Sequence, residues 1–104
     1  MSQEFDPSAL DDVIHGKLRL ALMAYLSSVD GATFSELKAR TGATDGNLSV
    51  HLRKLEEAGY VGVDKRFVAR RPQTSAHLTE AGRTAWIAYL DNWRALLGGE
   101  DGQA

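Results

Sequence analysis

Residues 33–59 read TFSELKARTGATDGNLSVHLRKLEEAG, and the order of caps, turns and leucines in this stretch decides the fold. Thr33 and Glu36 have capping-box spacing, so each side chain can accept from the other's exposed backbone amide. A short helix through Arg40 follows, and Thr41-Gly42 ends it because glycine readily takes the left-handed cap conformation. Thr44 or Asp45 then caps a second helix to about residue 58, with Leu48, Leu52 and Leu55 as its buried stripe at i, i+4 and i+7. Gly59 terminates it. Two such helices joined by a short glycine-containing turn make a helix-turn-helix unit over residues 33–58.

Working outward, residues 60–78 alternate as a β-hairpin. Val61, Val63 and Phe67 share one face of the first strand, and Thr74, Ala76 and Leu78 alternate on the second. The connection over residues 68–73 is a basic loop with a proline, so the tip of the hairpin is cationic. Thr79-Glu80-Ala81-Gly82 then caps a helix over residues 79–97, and the tail GGEDGQA has the composition of a frayed end. Upstream, Asp6-Pro7-Ser8 reads as the start of a first helix over residues 8–29, with Leu10, Val13, Ile14, Leu18, Ala21, Leu22 and Tyr25 at helical spacing. Its centre, LRLALMAYL, is apolar on nearly every side, as expected of a helix inside a small bundle. Gly16 counts there as a mild defect of about 1 kcal/mol relative to alanine. The expectation is a single domain over residues 1–104, mainly α with a small β-hairpin.

Composition narrows the function classes. A chain of 104 residues with 43% apolar residues has one modest core and no room for separate substrate and cofactor domains. With no cysteine and no run of 18 apolar residues, disulfides, thiolate metal sites and a transmembrane helix are not expected. The N-terminus MSQEFDPSAL also lacks the basic and apolar regions of a secretion signal, so the expected location is cytoplasmic, with no membrane partner. The net charge of −2 is uneven: residues 37–75 hold eight bases and four acids, whereas the two flanks together carry −6. The middle of the chain is basic.

The run TGATDGNLSVHLRKLEEAGYVGVDKRFVARRPQTSAHLTEAGR, residues 41–83, resembles the core of stand-alone winged-helix transcriptional regulators related to the MarR and ArsR groups. The resemblance implies a winged helix-turn-helix with additional N- and C-terminal dimerisation helices, binding double-stranded DNA as a homodimeric repressor. With the leucines facing inward, the opposite arc of helix 44–58 holds Gly46, Asn47, Ser49, Val50, Arg53, Lys54 and Glu57. In such a regulator the first turns of this helix enter the major groove. Asn47 suits an adenine edge, Ser49 a base or phosphate, Val50 a thymine methyl, and Arg53 guanine or a phosphate oxygen. Thr44 and Lys54 complete the candidate set, Gly46 leaves room for close approach, and Asp45 is assigned to capping because it would repel phosphate. In the wing, Arg70 and Arg71 are the candidate minor-groove or phosphate contacts, and Lys65 and Arg66 add backbone attraction.

The terminal helices suggest the assembly. Trp86, Leu90, Trp93 and Leu97 form one stripe widened by Tyr89, and Leu10, Val13 and Ile14 extend the first helix, so these residues are expected to form the dimer interface. The three histidines, His15, His51 and His77, lie on separate elements, and no phosphate loop or nucleophile elbow is present, so neither catalysis nor a cofactor is expected. Nothing identifies a small-molecule effector. The competing reading is a winged-helix module whose former DNA face binds a protein.

Overall fold

The computed structural model describes residues 10–98. Its elements run α1 (Lys17–Leu26), β1 (Ala32–Thr33), α2 (Phe34–Thr41), α3 (Asp45–Glu57), β2 (Val61–Val68), β3 (Arg71–Leu78) and α4 (Glu80–Leu96). The strands form one antiparallel sheet in the order β1-β3-β2. The fold is a winged helix.

Local chemistry sets the helix starts. In α2 both halves of the capping box are made, with Glu36 N donating to Thr33 Oγ1 at 3.0 Å and Thr33 N donating to Glu36 Oε1 at 2.8 Å. Thr44 caps α3 by accepting from Asn47 N, and Thr79 caps α4 by accepting from Gly82 N. The stripe of Leu48, Leu52 and Leu55 is buried, against Leu22, Met23 and Leu26 of α1, Leu37 of α2, and Val61, Ala76 and Leu78 of the sheet.

The start of the first helix departs from the expected residues 8–29. Gly16 is not a defect inside a helix but the break before one: at φ 144° it adopts a conformation that other residues avoid, and α1 begins at Lys17. Residues 10–15 make a separate turn, closed by His15 N donating to Asp11 O at 2.8 Å. The expected start at Asp6-Pro7-Ser8, and all of the tail beyond Gly98, lie outside the described residues. Two polar contacts between residues far apart in sequence fix the turn across the domain. Tyr60 Oη donates to Asp11 Oδ2, which pushes the phenol's pKa up from 10.0 to about 12, and His15 Nδ1 hydrogen-bonds Tyr89 Oη at 2.9 Å.

The hairpin falls within the expected residues 60–78, but its strands pair further toward the tip and the tip is tighter than the expected loop over residues 68–73. Strands pair from Val61↔Leu78 to Val68↔Arg71, leaving only Ala69 and Arg70 as the turn, at φ 52° and 68°. Positive φ at both positions belongs to the turn type that matches strand twist, usually filled by Asn-Gly. Pro72 is accommodated because β1 pairs only with Ser75 and Ala76, so no strand beyond it needs its missing amide. β1 itself escapes sequence reading, since two residues show no alternation.

Candidate nucleic-acid interface

α3 presents its polar arc to solvent because the leucine stripe anchors the other side. Thr44, Gly46, Asn47, Ser49, Val50, Arg53 and Lys54 are all exposed, and half of Val50 is bare at 51%. Asp45 is neutralised by Lys38 at 2.5 Å, a bridge that ties the start of α3 to α2 and removes an acid from the face. Thr44 spends its side-chain oxygen on the cap.

The arc divides into flanks. Ser49 and Arg53 line a groove of about 280 Å³ with Phe34 of α2 and Val63, Lys65 and Thr74 of the hairpin, so the wing brings Lys65 beside α3. Asn47 and His51 instead border a cavity of about 430 Å³ shared with Lys17, Leu18, Arg19 and Thr41. There His51 Nδ1 and Arg19 Nε are buried without a hydrogen-bond partner. His51 faces α1 and not the outer arc.

On the wing, alternation separates residues that the sequence reading grouped. Lys65 shares the inward face with Val61 and Val63, whereas Arg66 lies on the opposite face, paired across the strands with Gln73. Arg70 occupies the turn and Arg71 the first position of β3, both exposed. Asp64, the acid nearest the tip, lies 3.6 Å from His77. Beyond it the hairpin carries cations alone. A second groove, of about 480 Å³, runs between Thr33, Phe34 and Ser35 at the start of α2 and Arg71, Pro72 and Gln73. α3, the start of α2 and the cationic wing thus border two adjoining grooves, both lined by Phe34 and Thr74.

The strand face that Val61, Val63 and Phe67 were expected to share does not carry all three into the core. Phe67 does lie on the Val61/Val63 face, but past the end of the packed interior, and it is 76% exposed. Only the tertiary register reveals this.

These features are those of a DNA-binding winged helix, and residues 18–97 match the family model described as a winged helix DNA-binding domain. The chain belongs to that family. The winged-helix chain is 35% identical over 78 residues to an uncharacterized protein of Methanocaldococcus jannaschii, covering 75% of this chain and 85% of that one. A transcriptional regulator homologue from Pyrococcus horikoshii superposes with TM-score 0.78 at 31% identity, covering 86% of this chain and 88% of that one. A transcriptional regulator of M. tuberculosis solved in complex with DNA has TM-score 0.65 at 26% identity, with coverage of 94% and 66%. MarR-family and ArsR-family regulators share the fold. No described helix of this winged-helix chain is long and apolar enough to cross a membrane, and no group of three or more His, Cys, Asp or Glu suited to a metal occurs among the described residues.

The expected interface residues separate into two sets. Leu10, Ile14 and Tyr89 are at most 8% exposed within the monomer, which corrects their assignment to a dimer surface: the break at Gly16 folds the first two back into the core. Tyr89 is held between Trp86, stacked at 5.9 Å, and Trp93, edge-on at 6.4 Å. Val13, Trp86 and Trp93 are partly buried, whereas Leu90 and Leu97 are 42% and 76% exposed, and Ile87, which was not among the expected residues, is 54% exposed beside them.

Proposed function

We propose that this winged-helix chain is a sequence-specific regulator that binds double-stranded DNA as a homodimer and represses by occluding a promoter. The reading rests on one juxtaposition: the exposed polar arc of α3 and the acid-free end of the wing border adjoining grooves. α3 reads the major groove through Asn47, Ser49, Val50 and Arg53, with Gly46 allowing close approach and Thr44 and Lys54 at the margins of the contact. Arg70 and Arg71 reach the minor groove or its phosphates, and Lys65 and Arg66 neutralise the backbone from opposite faces of the hairpin.

Ile87, Leu90 and Leu97, with the exposed edges of Trp86 and Trp93, form the dimer contact through α4. Two-fold symmetry then sets two copies of α3 on half-sites about one helical turn, or a multiple of it, apart. Enrichment of genomic fragments on the purified protein, followed by sequencing, tests the reading. The expected product is one inverted repeat with that spacing; recovery of fragments without a shared motif would contradict it.

A further inference from the structure

The wing carries an apolar pair amid its cations. Phe67 leaves 76% of its surface in solvent, and its cross-strand neighbour is Pro72, also exposed. Because Val68↔Arg71 closes the two-residue turn, Phe67↔Pro72 is the next, non-hydrogen-bonded position, where facing side chains approach most closely. No strand flanks Pro72, and the tight turn at Ala69 and Arg70 leaves the pair little freedom to drift. Residues 65–73 include Lys65, Arg66, Arg70 and Arg71 and no acid. Four cations around an apolar pair fit a polyanion with apolar walls better than a protein surface.

The minor groove of duplex DNA has that character, with phosphates along its rims and deoxyribose rings as its walls. Resting on the DNA-binding reading above, we propose that Phe67 and Pro72 form an apolar wedge that packs against the deoxyriboses of the minor groove next to the site read by α3. The arginines hold the phosphates on either side, and the ring fills the space between. Contact with the groove walls makes affinity depend on the width and deformability of the minor groove, and so adds preference at positions that no side chain hydrogen-bonds.

The wedge leaves a thermodynamic signature distinct from that of the arginines. A phenyl ring releases no counterion, so its loss lowers affinity without changing the dependence on salt. The test measures binding to the enriched duplex by fluorescence anisotropy across a salt series, for wild type, Phe67→Ala and Phe67→Leu, with light scattering on each protein. Phe67→Ala is expected to weaken binding on the order of tenfold at every salt concentration, with a parallel salt line, and Phe67→Leu to keep most of the affinity. Because the ring is exposed, both variants should melt like wild type. Wild-type affinity in Phe67→Ala overturns the wedge and leaves the DNA-binding reading standing, whereas failure of the wild type to bind any duplex overturns both. Conversion of a dimer to a monomer by Phe67→Ala would assign the ring to a protein contact and also overturn the wedge.

Discussion

Tyr60 shows how a single residue ties distant parts of this chain together. Its hydroxyl donates to Asp11, and the neighbouring carboxylate holds the phenol's pKa at about 12 instead of the ordinary 10.0. A group whose folded pKa is raised contributes stability in full below its unfolded pKa and loses it as pH climbs through the folded one. Thermal stability should therefore fall between about pH 10 and about pH 12 in the wild type, and Tyr60→Phe should remove that part of the decline. An identical alkaline profile for both proteins would show that the bond contributes nothing. Residue-scale features of this kind are only partly legible beforehand: the capping box of α2 and the turn glycines follow from spacing, whereas a bond between residues 49 apart does not.

At the scale of elements, α4 is seated by close backbone contact. Thr79 N donates to Tyr60 O at 3.0 Å, Thr79 Oγ1 donates to Gly59 O at 2.6 Å, and a Cβ added at Gly82 would lie 2.0 Å from Tyr60 O. Gly82→Ala should push α4 off the end of the sheet and destabilise the domain by about 1–3 kcal/mol, readable as a lower midpoint in urea with little change in slope. An unaltered midpoint would mean that α4 sits loosely. Helix starts were legible in the sequence. α2, α3 and α4 each start at a threonine that their sequences announce, and their boundaries fall within a residue or two of the spacing. The first helix misled because apolar residues recur at helical spacing on both sides of Gly16, and periodicity alone cannot distinguish one helix from a turn followed by a helix. The hairpin was legible in its strands but not in its tip, where Ala69 and Arg70 take left-handed angles that their identities do not suggest.

For the whole molecule, the division of charge and apolar surface assigns separate tasks to separate regions. The basic middle of the chain contains α3 and the wing, while the exposed apolar stripe of α4 lies in an acidic flank. The composition of the candidate interface was readable because exposed arginines and a leucine stripe follow from spacing; which side each residue faces was not, since that depends on how the hairpin packs beside α3. If α4 joins two copies, Leu90→Glu combined with Leu97→Glu should halve the mass seen by light scattering while leaving the monomer folded, because both side chains are exposed in it. A mass unchanged by the pair would place the contact elsewhere. Joint binding of duplex DNA by the wing and α3 is read from the salt dependence of affinity for the enriched duplex in wild type and in Arg70→Ala/Arg71→Ala. If both arginines meet phosphates, the variant should bind more weakly and its logarithmic salt slope should be shallower by about 2 per protomer, since each lost phosphate contact removes about 0.9. Equal affinity and an equal slope in the two proteins would contradict the account.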